Sequence, residues 1–225
     1  MVIRVPKLLG EDRLAKIDGV LKKAVYGDGG GTAGATAKAV KANLQLDFAK
    51  TPNAEQISRT ILEAFWANGT VRAGALPRRI LPPRIARYEP GMAYGVHADN
   101  PLMIEGTTAI RTDVSATVFL SDPQDYAGGE LILRLEAGET RIKLPKGEAV
   151  LYPTGALHAV APVTDGVRVV AVTWIQSIVA DPFKRNLVYE LDLVTQSIAK
   201  KMPDSDETRL LTRTYGNLVR LWGEV

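Results

Sequence analysis

The chain has 225 residues, 46% hydrophobic and 24% charged, a balance that suits one compact domain or a core domain with small appendages. Lys and Arg total 28 against 25 Asp and Glu, a net charge of +3, too small a surplus to indicate a nucleic-acid partner. Cysteine is absent and histidine occurs twice, at His97 and His158, which excludes disulfides, thiolate metal sites, cysteine nucleophiles and any three-histidine site.

Met1-Val2-Ile3-Arg4-Val5-Pro6 has no apolar signal region, and no run approaches the ~18 apolar residues of a membrane span. A cytoplasmic protein without a membrane partner is expected. Leu14, Ile17, Val20, Leu21, Ala24 and Val25 recur at helical spacing and predict a helix over 10–25. Asp28-Gly29-Gly30-Gly31-Thr32-Ala33-Gly34 then reads as a flexible loop, since no strand precedes it and no Gly-Lys-Ser/Thr closes it as in a phosphate-binding loop. Asn53, with Gln56 three residues on, predicts the cap of a second helix, whose stripe is Ile57, Ile61, Leu62, Phe65 and Trp66, ended by Asn68-Gly69.

From 83 to 178 the texture changes to short β-type runs at 84–88, 94–97, 114–120, 130–135, 140–144, 149–152, 158–162 and 167–175. Pro, Gly, Asn and Asp clusters separate them, which favours a sandwich or jelly roll over a parallel sheet with crossover helices. Asp181-Pro182 predicts a capped helix running to Pro203 through Phe183, Leu187, Val188, Leu191, Val194 and Ile198. A last helix capped near Ser205 or Asp206 carries Leu210, Leu211, Leu218, Val219 and Trp222, and both stripes are expected to pack outside the sheets. The expected fold is thus α+β, divided as an N-terminal helical support region 1–77, a jelly-roll domain 78–178 and a C-terminal helical region 179–225.

Chemistry concentrates at the two histidines. His97 and Asp99, two residues apart on extended chain, point to one side, and His158, arriving from a strand across the barrel, completes a two-His-one-carboxylate set. Such a set covers one face of an octahedral ion and leaves three positions open, as Fe(II) oxygenases require. Taken singly, each residue is more readily read as packing, surface or turn than as a ligand; the conjunction points to a metal. Arg168 follows on the next strand, where a buried guanidinium would need an anion such as the distal carboxylate of a 2-oxoacid. Val167, Val169 and Ala171 have one parity and Val170 and Val172 share that of Arg168, so the pattern leaves open which face of this strand is inside.

Arg87-Tyr88-Glu89-Pro90-Gly91-Met92-Ala93-Tyr94-Gly95-Val96-His97-Ala98-Asp99, the stretch from Arg111 to Pro123, Gly128-Gly129-Glu130-Leu131, and Leu151-Tyr152-Pro153 through His158 to Arg168 resemble the PKHD-type hydroxylases. These are prolyl-4-hydroxylase-like Fe(II)/2-oxoglutarate dioxygenases. The resemblance continues through Trp174-Ile175-Gln176-Ser177 and Leu187 to Asp192, and into Tyr215-Gly216-Asn217-Leu218, with departures at the glycine-rich insert and at Gly216. It implies a double-stranded β-helix, Fe(II) held by His97, Asp99 and His158, and 2-oxoglutarate held by Arg168 with Tyr88 nearby. It also implies O2 as oxidant, ascorbate as reductant, and release of succinate and CO2 on hydroxylation. A cupin-like enzyme would be expected to use more histidines; a non-catalytic 2-oxoglutarate or iron sensor on the same fold is the alternative. Tyr94, Arg111, Asp113 and Trp174 are candidates for lining the side of an unassigned primary substrate, a protein residue or a small molecule, and a homodimer is the assembly considered.

Overall fold

Alternating apolar residues bounded by turn residues build the middle of the chain into two large antiparallel sheets and two two-stranded ribbons, in a computed structural model that describes residues 1–30 and 40–224. Gly31 to Gly34 of the expected loop lie outside the described residues. Strands β1 (Ile3–Val5), β2 (Tyr26–Asp28), β3 (Lys41–Ala42) and β4 (Leu44–Leu46) come first. They are followed by β5 (Pro77–Ile80), β6 (Arg84–Tyr88), β7 (Ala93–His97), β8 (Leu102–Glu105), β9 (Thr108–Arg111) and β10 (Val114–Phe119). The rest are β11 (Tyr126–Gly128), β12 (Leu131–Leu135), β13 (Gly138–Ile142), β14 (Ala149–Pro153), β15 (Leu157–Val160), β16 (Val163–Gly166) and β17 (Arg168–Ser177).

The eight-stranded sheet runs β1-β14-β10-β17-β6-β4-β2, with β5 also on β17, and the five-stranded sheet runs β13-β12-β15-β7-β3. Tyr88, Phe119, Val150 and Val170 of the first pack with Leu131, Leu133, Ile142 and Val160 of the second, so the two sheets enclose a core between them as a jelly roll does. All eight expected strands are present within two residues of their expected ends. The β8–β9 hairpin was not anticipated, because Leu102 and Ile104, 57% and 72% exposed, show no buried alternation. Nor was β16, whose residues carry turn chemistry but pair with β11.

Helices cover the outer face of the larger sheet. In α2 (Ala54–Ala67), Ile57, Ile61 and Phe65 recur every four residues and are fully buried, each contributing roughly 1.5–3 kcal/mol by leaving water. They meet Ile17 and Val20 of α1 (Glu11–Leu21) and Ile85, Ala171 and Ile175 of the sheet in one cluster. The first helix stops at Leu21 rather than 25, because Val25 turns to pair with the 47–51 segment, its amide donating to Thr51 Oγ1 at 2.9 Å and its carbonyl accepting from Asp47 N at 2.8 Å. Asn53 does not cap α2 through its side chain; it supplies the left-handed turn, φ 60°, that asparagine tolerates. Asn68 ends that helix and caps α3 (Gly69–Ala75) by accepting from Val71 N.

At the other end, α4 (Pro182–Lys201) begins as expected, with the Asp181 carboxylate accepting from Phe183 N and Lys184 N. Ser205 caps α5 (Asp206–Trp222). Val188, Leu218, Val219 and Trp222 pack with Leu76 and Val179, whereas Phe183 and Leu210 of the expected stripes stay 70% and 51% exposed. Among the described residues no helix is long and apolar enough to cross a membrane.

Candidate metal centre

The geometry of the site follows from strand pairing. His97 ends β7 and His158 lies on β15, and the two are direct partners in the antiparallel register. His158 therefore comes from the neighbouring strand of the same sheet, not from across the barrel; its ring centroid is 4.2 Å from that of His97. Asp99, two residues past His97, turns its carboxylate to both rings. Its Oδ1 is 3.8 Å from His97 Nε2 and its Oδ2 3.7 Å from His158 Nε2, too far for hydrogen bonds but close enough for one ion to be shared. The ligating atoms of all three residues lie within 4.8 Å of one another.

Backbone carbonyls set the tautomers. His97 Nδ1 is 2.8 Å from Gly95 O and His158 Nδ1 is 2.9 Å from Ala156 O; a carbonyl only accepts, so each Nδ1 carries the proton and each Nε2 presents its lone pair to Asp99. Burial, and then the neighbouring His158, push His97 below its ordinary pKa and keep it a neutral donor. Tyr94 stacks on His97 with centroids 3.7 Å apart, and Tyr152 meets His158 edge-on. Asp99 Oδ2 accepts from Ser115 Oγ at 2.8 Å and Trp174 Nε1 at 2.9 Å, which orients the carboxylate. Ser115 belongs to no ligand spacing, and its one signal in the sequence is that it and Thr117 are the polar pair of one parity in a strand buried along its whole length.

Arg168 resolves its ambiguous parity by pointing between the sheets. Both faces of β17 are buried: Ala171, Thr173 and Ile175 face the helices, while Arg168, Val170 and Trp174 face the pocket. Arg168 is 1% exposed, and its Nε and Nη1 have no hydrogen-bond partner, an arrangement expected only where an anion is to arrive. Its guanidinium carbon sits 5.0 Å from the Tyr88 ring centroid, and burial raises Tyr88 so that it remains a neutral phenol. Gly129, at φ +67°, lets the chain pass beneath this side chain; a Cβ there would lie 3.0 Å from Arg168 Cδ.

One pocket thus joins His97, Asp99, His158, Arg168 and Tyr88 with Tyr94 and Trp174. Arg111 and Asp113 are not in it. They pair with each other at 2.8 Å, Arg111 also reaches Glu224, and Asp113 accepts from Ser177 N, so their role is to tie β10 to the C-terminal segment. Lys41 and Arg84, which the sequence did not single out, line the pocket instead; Arg84 shares the inward parity of Ala86 and Tyr88, the signal that could have found it.

Residues 83–176 match the 2OG-Fe(II) oxygenase superfamily, and residues 183–224 match the PKHD-type hydroxylase C-terminal domain. A PKHD-type hydroxylase of Thermosynechococcus vestitus is 41% identical over 225 residues, and one of Paracoccus denitrificans is 40% identical over 227, each covering all of both chains. Among solved structures, a Pseudomonas putida prolyl-4-hydroxylase is similar with a TM-score of 0.52 at 19% identity, covering 78% of this chain and 92% of that one. A viral collagen prolyl hydroxylase of Paramecium Bursaria Chlorella virus-1, in its 2OG complex, gives 0.55 at 20% identity over 79% and 96%.

Proposed function

The chain belongs to the PKHD-type hydroxylases of the 2OG-Fe(II) oxygenase superfamily, and on that basis we propose that His97, Asp99 and His158 hold its Fe(II) and that Arg168 holds 2-oxoglutarate. It is an Fe(II)- and 2-oxoglutarate-dependent dioxygenase that hydroxylates its substrate with release of succinate and CO2. One arrangement carries the assignment of residues: two imidazoles and a carboxylate converge in a pocket whose far end is an arginine with unpaired buried donors. The donor set suits a divalent ion with an open face, and the orphaned guanidinium suits a carboxylate.

When bound, Fe(II) with 2-oxoglutarate supplies the O2 activation whose oxygen atoms end in succinate and in the hydroxylated product. The chain's own part is placement. Arg168 would hold a carboxylate of 2-oxoglutarate and so set its depth in the pocket, while Tyr88 packs against the guanidinium. Ser115 and Trp174 donate to Asp99 Oδ2 and so orient the carboxylate that would hold the ion. Leu131, Val160, Val170 and Val172 contribute an apolar stretch to the pocket wall, which limits water there.

The same reading takes ascorbate as reductant on the family resemblance, takes a cytoplasmic setting and the three-part division at 77 and 178 from the patterning of the chain, and leaves a homodimer as the assembly to test. Iron titration tests its centre: wild type is expected to bind one Fe(II) per chain, and His97→Ala, Asp99→Ala and His158→Ala each to lose most of it. Full metal retention in His158→Ala, measured by elemental analysis, would refute the assignment.

A further inference from the structure

Three aromatic rings frame Arg168. Its guanidinium carbon is 5.0 Å from the ring centroid of Tyr88 and 5.8 Å from that of Phe119. The third ring belongs to Tyr126 of β11, which is 5% exposed. Tyr126 pairs with Gly166 of β16, two residues before Arg168. A Cβ on Gly129 would lie 3.0 Å from Arg168 Cδ and 3.1 Å from Tyr126 Cε2, so both side chains run along the same glycine. Among the described residues, four buried side-chain polar atoms have no hydrogen-bond partner, and three of them are here: Tyr126 Oη, Arg168 Nε and Arg168 Nη1.

The Tyr126 ring is held from its other side. Lys143 Nζ stands 4.0 Å from the ring centroid and donates to Tyr126 O at 2.6 Å, while Gly166, at φ +70°, passes so close that a Cβ there would lie 2.8 Å from Tyr126 Cα. Burial raises the phenol and the Arg168 charge acts against that rise, so the group stays a neutral hydroxyl beside a cation. A plain ring packs against a guanidinium equally well, as Phe119 does, and an unsatisfied buried hydroxyl is costly. The oxygen therefore has its use in a state where it is bonded. A carboxylate gripped by two parallel N–H groups uses one edge of the guanidinium fork and leaves donors on the other. Tyr126 does not itself line the pocket, so its hydroxyl reaches the co-substrate only through Arg168.

We propose that Tyr126 is a positioning residue for Arg168: its phenol oxygen accepts from the edge of the guanidinium that the carboxylate of 2-oxoglutarate leaves free, and so aims the fork and selects a 2-oxoacid with a second carboxylate. The proposal rests on the assignment of Arg168 to 2-oxoglutarate made above.

The test compares Tyr126→Phe with wild type, both loaded with Zn(II), by titration with 2-oxoglutarate and with 2-oxobutyrate, which keeps the keto acid but lacks the distal carboxylate. Calorimetry reads the first and NMR at millimolar concentration the second. Tyr126→Phe is expected to bind 2-oxoglutarate about tenfold more weakly, with metal content and 2-oxobutyrate affinity unchanged. Its melting temperature without ligand should be no lower than that of wild type, because the lost oxygen has no partner there. In the Arg168→Met background the same change should have no further effect on the residual 2-oxoglutarate binding. Wild-type 2-oxoglutarate affinity in Tyr126→Phe overturns the proposal, as does an equal loss for both acids, a lower melting temperature without ligand, or an undiminished effect in the Arg168→Met background. Wild-type affinity in Arg168→Met alone would instead refute the assignment of Arg168 on which the proposal depends.

Discussion

Arg168→Met separates what Arg168 costs the empty protein from what it gives the loaded one. The guanidinium is 1% exposed with Nε and Nη1 unpaired, and an unsatisfied buried donor costs about 1–3 kcal/mol. Methionine fills much of the same space without polar atoms, so the variant is expected to be more stable than wild type in the absence of 2-oxoglutarate. At about 2–4 °C per kcal/mol for a chain of this size, its melting temperature should rise by roughly 2–12 °C. Binding should move the other way. Truncating one partner of a buried, hydrogen-bonded charge pair costs about 2–5 kcal/mol, a loss of 2-oxoglutarate affinity of roughly 30- to several thousand-fold. Wild type at a hundredfold excess of ligand over Kd gains about 2.7 kcal/mol, which the variant forgoes. The order of melting temperatures should therefore invert on adding 2-oxoglutarate to Zn(II)-loaded protein. Calorimetric affinity equal to wild type would remove Arg168 from the site, and a melting temperature below wild type without ligand would refute the argument from unpaired donors.

Four further outcomes are expected. Trp174→Phe keeps the ring but removes one donor to Asp99 Oδ2, and should weaken metal binding about tenfold in a chelator competition. Adding Ser115→Ala should weaken it further, and unchanged affinity in the double variant would show that the two donors do not position Asp99. Gly129→Ala forces a Cβ onto Arg168 Cδ and Val163 Cγ2 at 3.0 Å in a left-handed backbone, φ +67°; about 1–2 kcal/mol of strain should appear as a lower melting temperature with weaker 2-oxoglutarate binding, and a wild-type value for both would count against it. Phe65→Ala empties a fully buried site between α2 and the sheet at a cost of about 3–5 kcal/mol, while metal stoichiometry should be retained because that cluster lies outside the pocket.

Residue order predicted the strands of the core well because each carries its own signal: an alternating or continuous apolar run, ended by residues that only a turn favours. The short strands lack that signal. Lys41–Ala42 is a strand because Lys41 and Ala42 pair with Tyr94 and Ala93, and its two residues contain nothing that predicts such a partner. The same limit applied to the site. His97 and Asp99 are near in sequence, and their spacing alone places them together; the direct pairing of His97 with His158 depends on a register between β7 and β15 that is interrupted by a bulge. Arg168 was ambiguous for a physical reason as well. β17 is buried on both faces, by helices on one side and by the second sheet on the other, so apolar residues occur at both parities and cease to mark an inside.

That double burial bears on why the charged groups stand where they do. A sandwich closed on both sides is the least favourable place for a carboxylate and a guanidinium, and this one contains Asp99 and Arg168 at separate points of its inner wall rather than as a pair that neutralises itself. Asp99 is partly relieved by Ser115, by Trp174 and by the attraction of Lys41 and Arg84, whereas Arg168 packs against the face of Tyr88 with Nε and Nη1 unpartnered. A dication beside Asp99 and a dicarboxylate spanning from that ion to Arg168 would cancel both at once. The stability of the sandwich and the occupancy of its pocket are therefore linked: each ligand that the family chemistry requires also removes an electrostatic cost that the empty fold bears. Metal and 2-oxoglutarate should accordingly stabilise the protein more together than the sum of their separate effects, because each improves the site for the other's charge.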